Sequence, residues 1–166
     1  MGLNFTMPKN FSAVKDSVQT SRSIFTPAAY FSMFYTIINN DESVAVGFYT
    51  FATGPNYSIP RYTYNEGNFK RIINDLADSM AFRKETLDTN VFSFYRGEAL
   101  KKCNADVACT YTVQMSRPYM DKYYLCKGFC MYKKDHGEVY AFYFYNKGTP
   151  IDKYLKENAF MLTFDN

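Results

Sequence analysis

Four runs dense in tyrosine, phenylalanine and other strand-forming residues follow one another in the second half of the chain: Phe92 to Lys102, Cys109 to Met115, Tyr123 to Tyr132 and Val139 to Tyr145. Aromatic and β-branched side chains suit a pleated, half-buried surface better than a helix interior. The breaks between the runs, Cys103 to Ala108, Ser116 to Lys122 and Lys134-Asp135-His136-Gly137, are turn-sized. The pattern predicts an antiparallel meander. The same bias holds throughout, with 16 Tyr, 16 Phe and no Trp in 166 residues. Because each tyrosine hydroxyl needs water or a partner, one face of such a sheet is expected to be partly wet or covered by another layer.

The first half is less regular. Phe5 to Val14, interrupted by Pro8, reads as an edge strand, since proline cannot donate to a central ladder. Lys15 to Ser23 reads as a loop or short helix. Tyr30 to Ile38 and Val44 to Ala52 flank Asn39-Asn40-Asp41-Glu42, a hairpin-closing cluster. Gly54-Pro55-Asn56 then starts a loop that runs to Gly67. From the N-cap candidate Asn68, a helical stripe of Phe69, Ile72, Ile73, Leu76 and Met80 predicts a helix that covers the sheet. Thr149, Pro150 and Asp152 mark a second helix start, carrying Ile151, Tyr154 and Leu155, before a last strand from Ala159 to Phe164. No repeat or low-complexity tract divides the chain, so residues 1–166 read as a single domain. An apolar content of 47% excludes disorder driven by low hydrophobicity.

The opening Phe5-Thr6-Met7-Pro8-Lys9-Asn10-Phe11, the early hairpin, one covering helix, the meander and the closing Pro150-Ile151-Asp152 helix with its terminal strand together resemble the PsbP/Mog1-like family. The resemblance implies an α+β fold in which an antiparallel sheet is flanked by helices as an α-β-α sandwich. It also implies a non-catalytic binding or assembly module, as in photosystem assembly subunits, a nuclear-transport GTPase-binding factor and bacterial envelope proteins. It carries over no site residues.

Charge excludes some partners. A net charge of +3 with Lys and Arg interleaved among Asp and Glu gives no polyelectrolyte-binding block, so nucleic acid is not an expected partner. Lys101-Lys102 and Lys133-Lys134 read as solvated strand ends. No apolar run approaches the ~20 residues of a membrane span, and the chain as given reads as soluble.

Chemistry is sparse. The one histidine, His136, falls beside Gly137 in an expected hairpin turn. Asp41-Glu42, Glu85, Asp88, Asp135 and Glu138 all read as turn or helix-end acids. Phosphate-binding glycine loops and a Gly-x-Ser-x-Gly elbow are missing. On these grounds the sequence nominates no catalytic, cofactor-binding or metal-ligating residue, and no cofactor.

The four cysteines are the exception. An even count favours disulfides and hence an extracytoplasmic setting, periplasmic, surface or secreted. Cys103 and Cys109 bracket an apparent hairpin loop. Cys126 and Cys130 lie ~13 Å apart along an extended strand unless Gly128 bulges. Cys130 is placed to face Cys109 if the intervening hairpin turns near Pro118 to Tyr119. Three pairings remain open. The leading expectation is a non-catalytic binding or assembly module for an unknown protein or small ligand, with the exposed members among Tyr111, Tyr123, Tyr124, Tyr132, Tyr140, Tyr143 and Tyr145 as candidates for its contact surface and the others buried by strand alternation. The alternatives are an enzyme with a carboxylate- or tyrosine-based site, and a cysteine-based metal-binding protein.

Overall fold

The computed structural model describes residues 2–14, 35–52, 92–158 and 161–165. Its centre is the strand Gly137–Tyr145, in which all nine residues are buried. Successive side chains on a strand point to opposite faces. One face therefore receives Val139, Ala141, Tyr143 and Tyr145, and the other Tyr140, Phe142 and Phe144. Both faces are packed, which is why this segment reads as an unbroken apolar run rather than an alternating one.

Numbered along the chain, the described strands are β1 (Leu3–Phe5), β2 (Phe11–Ala13), β3 (Tyr35–Asn39), β4 (Val44–Ala52), β5 (Ser93–Phe94), β6 (Val107–Tyr119), β7 (Tyr123–Lys133), β8 (Gly137–Tyr145) and β9 (Leu162–Phe164). Among the described residues two helices accompany them, α1 (Gly97–Cys103) and α2 (Ile151–Asn158). Seven strands form one antiparallel sheet in the order β2-β3-β4-β8-β7-β6-β5, and β1 pairs with β9 in a separate two-stranded ribbon. The meander expected from the sequence is the β6-β7-β8 stretch, with the β3-β4 hairpin joined to the other side of β8.

The two faces are closed differently. On one, which we call the covered face, α1 contributes Leu100 and Cys103, α2 contributes Ile151, Tyr154 and Leu155, and the β1-β9 ribbon contributes Leu3, Leu162 and Phe164. The opposite, inner face is concave. In a flat sheet β3 and β6, four strand spacings apart, would be separated by about 19 Å. Yet the hydroxyls of Thr36 on β3 and Tyr119 on β6 lie 2.8 Å apart and are buried. The β6-β7 turn also reaches the β3-β4 turn, where the Tyr123 hydroxyl donates to the Glu42 carbonyl at 2.8 Å and Lys122 Nζ donates to the Glu42 carboxylate at 2.7 Å. The sheet must curl to make these contacts. A register slip between Gln114 and Tyr119 supplies a bend, and Tyr119 stacks on Phe144 with ring centroids 3.9 Å apart.

This architecture corrects the α-β-α sandwich. The described residues are mostly strand, built on a large antiparallel sheet. The two described helices are short and lie on the same face, while the inner face is packed with its own aromatic side chains. The expected helix from Asn68 to Met80 lies outside the described residues, as do the Lys15 to Ser23 stretch, the start of the first hairpin strand and the loop leading to Gly67.

Two local readings also change. Phe92 to Lys102 is not one strand. It is the two-residue β5 followed by α1, with Gly97 at φ +54° turning the chain out of the sheet. The run Glu98-Ala99-Leu100-Lys101-Lys102 consists of good helix formers. Glu98 lies in the first turn and the two lysines in the last, where they complement the helix dipole rather than ending a strand. The Phe5 to Val14 segment splits at Pro8, its halves joining different sheets: β1 pairs with β9 and β2 with β3.

Candidate functional site

Splitting the first segment leaves a bridge between two sheets, and a groove forms between that bridge and α2. Thr6 N–H donates to the Met161 carbonyl at 2.8 Å, extending the β1-β9 ribbon, and Phe11 N–H donates to the Pro8 carbonyl at 3.1 Å, closing a turn. On the opposite wall α2 points Ile151 and Leu155 into the core and leaves Tyr154 half-buried. Asn39 fixes that tyrosine. Its amide nitrogen donates to the Tyr154 hydroxyl at 3.1 Å and to Ser43 Oγ at 3.0 Å, while its amide oxygen accepts from Val44 N–H at 2.9 Å.

The groove has a volume of about 520 Å³ and runs between residues 6–11 and Tyr154, Glu157, Asn158 and Met161. Phe11 meets Tyr154 edge-on at 6.4 Å. Lys9, Asn10, Glu157 and Asn158 supply its polar groups. Beside it, Phe5 (40% exposed), Met7 (37%) and Tyr35 (36%) present apolar surface, with the Phe5 ring 5.4 Å from Phe48 and 6.0 Å from Tyr35. A preformed concavity with apolar and polar lining in this size range is the usual form of a ligand site.

A second hollow, about 550 Å³, is lined by Asn4, Lys101, Lys102, Asn104, Thr163, Phe164 and Asp165. Much of its polar capacity is used internally. Asn104 Nδ2 donates to the carbonyls of Phe164 (3.0 Å) and Asp165 (2.7 Å), Lys133 Nζ donates to the Asp165 carbonyl (2.7 Å), and Asn4 donates to the Asp165 carboxylate. This hollow anchors β9.

The tyrosines nominated as a contact surface are core. Tyr111, Tyr123, Tyr132, Tyr140, Tyr143 and Tyr145 are buried, and only Tyr124 of the seven is exposed, at 56%. The need of each hydroxyl for water or a partner led the sequence reading to expect one face partly wet or covered by another layer, whereas both faces are packed and most of the hydroxyls are enclosed. Burial pushes the Tyr145 phenol up to about 12 and raises those of Tyr111 and Tyr143 well above the usual phenol value.

The four cysteines are buried thiols with no disulfide between them. Cys103, at the end of α1, belongs to the covered face, whereas Cys109 belongs to the inner face, so the loop that brackets them does not bring them together. Cys126 and Cys130 share β7 without the bulge that would draw them together, since the register is regular from Leu125 to Lys133. Cys109 does stand opposite Cys130, but not through the expected turn near Pro118 to Tyr119: β6 runs on to Tyr119, which pairs with Tyr123, and the register shift between Gln114 and Tyr119 sets the two cysteines opposite each other. Tyr95 N–H bonds the Ala108 carbonyl, so the Ala108 backbone points toward β5 and that of Cys109 toward β7. Cys109 and Cys130 are therefore a hydrogen-bonded pair, with Cβ atoms about 5.5 Å apart, beyond the ~3.8 Å typical of a disulfide. Burial also raises the thiol pKa values, that of Cys103 to about 11 and those of Cys126 and Cys130 well above the usual thiol value. Without a bridge, the cysteines give no support to the extracytoplasmic setting expected from their number.

Between these thiols lies an orphan. Tyr111 opposes Gly128 across the β6-β7 ladder, and its ring lies over that glycine so closely that a Cβ there would sit 2.2 Å from Cε1 and 2.4 Å from Cζ. The Tyr111 hydroxyl is fully enclosed and is the one buried side-chain polar atom among the described residues with no hydrogen-bond partner. Sequence reasoning also missed Glu138, assigned to a turn but buried on β8, where the Tyr140 hydroxyl donates to its carboxylate. The available signal was parity, because Glu138 shares a face with Tyr140, Phe142 and Phe144.

His136 lies in the β7-β8 turn, with Nδ1 3.1 Å from the Lys134 carbonyl and its ring edge-on to Phe164. Asp41 and Glu42 are turn residues, and Asp41 accepts from Ser43 N–H at 2.9 Å. Glu85 and Asp88 lie outside the described residues. Among the described residues no group of three or more His, Cys, Asp or Glu side chains is placed to hold a metal ion, and no helix is long and apolar enough to cross a membrane. Comparison with known protein families, curated proteins and solved structures returns no match.

Proposed function

We propose that this chain is a non-catalytic binding module whose ligand enters the groove between residues 6–11 and α2. The observation that carries the proposal is the groove's construction: an aromatic wall held in place by the buried Asn39 amide, beside exposed Phe5, Met7 and Tyr35. Preorganisation of this kind lowers the ordering cost of binding. The ligand class that suits the lining is an apolar body carrying a polar or acidic group within reach of Lys9, either a small molecule or a short protein segment.

A fragment screen followed by amide and methyl NMR tests this reading. Hits should shift signals of Phe11, Tyr154 and Met161, and Tyr154→Ala should weaken them at least tenfold while leaving the fold intact by circular dichroism. Hits that map instead to the hollow around Asn104 and Asp165, or that bind Tyr154→Ala unchanged, refute it.

A further inference from the structure

Three connections meet at one end of the sheet: the β3-β4 turn, the β6-β7 turn and the segment that leads from β8 into α2. Each is hydrogen-bonded to the other two. The β3-β4 turn meets the β6-β7 turn where the Tyr123 hydroxyl and Lys122 Nζ donate to the Glu42 carbonyl and carboxylate. The β6-β7 turn meets the segment after β8 through the Asn146 side chain, which donates to the Lys122 carbonyl at 3.0 Å and accepts from Tyr124 N–H at 3.2 Å. That segment enters α2 with Thr149 N–H bonded to the Asn146 carbonyl and Ile151 N–H to the Thr149 carbonyl. From α2 the Tyr154 hydroxyl accepts from Asn39, at the end of β3, and closes the ring.

The β3-β4 turn is a stiff member of this ring. Glu42 N–H donates to the Asn39 carbonyl, Ser43 N–H to the Asp41 carboxylate and Val44 N–H to the Asn39 amide oxygen, each at 2.9 Å. A displacement of the Glu42 carbonyl is therefore carried to the Asn39 side chain rather than absorbed on the way. Because Asn39 is buried, an amide pulled off its partners there is costly, and Tyr154 is held to it. Tyr123 belongs to the inner face and Tyr154 to the covered face, so the ring spans both layers.

We infer that this ring couples the groove to the β6-β7 turn: opening the clasp between Glu42 and Tyr123 loosens the Tyr154 wall, and a ligand seated against Tyr154 tightens the clasp. The inference rests on the groove being the ligand site. Tyr124, at the β6-β7 turn, is 56% exposed, so the turn is the point at which the groove is open to control from outside. Coupling of this kind is reciprocal, by the same factor in both directions.

The first test needs no ligand. Tyr123→Phe removes the donor to Glu42, and Tyr154→Phe removes the hydroxyl that accepts from Asn39, two groups that share no hydrogen-bond partner. In urea unfolding of the full chain, the folding constant of the double variant should exceed the product of the two single effects by at least about threefold, since the first cut already opens the ring. In Tyr123→Phe the NMR signals of the Asn39 side-chain amide and the Tyr154 ring should shift. Lys101→Ala, which removes an exposed ion pair elsewhere, should leave them in place. Additive losses, or Asn39 and Tyr154 signals unmoved in Tyr123→Phe, overturn the ring. The second test uses the fragment hits of the groove. They should bind Tyr123→Phe at least about threefold more weakly, and in the wild-type chain slow exchange of the Tyr124 amide, which donates to Asn146, by a matching factor. Hits that bind Tyr123→Phe as they bind wild type overturn the coupling and leave the groove reading standing. Finding no hits refutes the groove reading instead, and the unfolding cycle still decides the ring.

Discussion

Gly128→Ala is the substitution that most sharply tests how the inner face is packed. A Cβ at this position would sit 2.2, 2.4 and 2.8 Å from Cε1, Cζ and the hydroxyl of Tyr111, against a comfortable separation of about 3.5–4.0 Å. Three atoms of one rigid side chain are involved, so the ring must move as a unit by about 1 Å or more to restore that separation, within a fully buried cluster. Overpacking of this kind costs about 1–3 kcal/mol, and the rigidity of the obstacle puts this case near the upper end. Alanine recovers about 0.5–1 kcal/mol by restricting the unfolded chain. The net expectation is a loss of about 2 kcal/mol. With a urea m-value of about 2 kcal/mol/M, the unfolding midpoint drops by about 1 M. The assay is equilibrium urea unfolding by circular dichroism and tyrosine fluorescence, repeated in a Tyr111→Val background that removes the ring. There the alanine cost should vanish, a coupling of about 2 kcal/mol. A Gly128→Ala midpoint within about 0.2 M of wild type, or an undiminished loss in the Tyr111→Val background, would refute the reasoning.

Tyr111→Phe removes the unsatisfied hydroxyl while preserving the ring, so the protein should gain about 1 kcal/mol in urea unfolding; a loss would mean that the hydroxyl has a partner. Asp121→Gly should gain about 1 kcal/mol, because Met120 and Asp121 hold φ of 50° and 55° at the two central positions of the β6-β7 turn that Lys122 N–H closes onto the Tyr119 carbonyl, where glycine is unstrained; an unchanged thermal midpoint counts against that turn. Alkali should unfold the protein early. Tyr111, Tyr143, Tyr145, Cys126 and Cys130 have folded pKa values above their unfolded values of about 10 and 9, so the folded state binds more protons. The stability from keeping these groups neutral is fully present below about pH 9 and declines as pH rises, by up to about 1.4 kcal/mol per pH unit for each fully buried group. Phenolate absorbance should therefore rise together with loss of circular dichroism above about pH 10. Gradual titration of most tyrosines in a still-folded chain contradicts the burial.

Legibility followed the range of the interactions. The β3-β4 hairpin and the β6-β7-β8 meander were readable because turn residues and neighbouring strands specify each other over a few positions, whereas the register that sets Cys109 opposite Cys130 depends on the shift between Gln114 and Tyr119, since the chain turns after Tyr119 rather than near Pro118 to Tyr119. α1 was missed because a seven-residue helix between two strands offers barely two turns of periodicity, and Phe92 to Tyr95 biased that window toward strand. The groove was not readable at all. It depends on Pro8 sending one segment into two sheets, and on Asn39 holding a tyrosine 115 positions away in sequence.

The misassigned tyrosines show the deeper limit. Composition fixes how many hydroxyls must find partners or bear the cost of lacking them, but which face is wet depends on curvature, a property of the whole sheet. Here curvature is secured by contacts between residues 83 and 81 positions apart, Thr36 with Tyr119 and Glu42 with Tyr123. Once the sheet curls, side chains on a face that could have been partly wet are enclosed with their polar atoms. A neighbour on the same face can then satisfy them, as Glu138 does Tyr140. Tyr111 has no such neighbour. The residue across from it is glycine, and the next side chains on that face of β7, Cys126 and Cys130, are thiols, so together they offer a phenol room but no strong acceptor. The residues that bring the Tyr111 ring down onto the β7 backbone thus also leave its hydroxyl unpaired, and a variant that fills Gly128 tests the packing while one that trims Tyr111 tests the unpaired group.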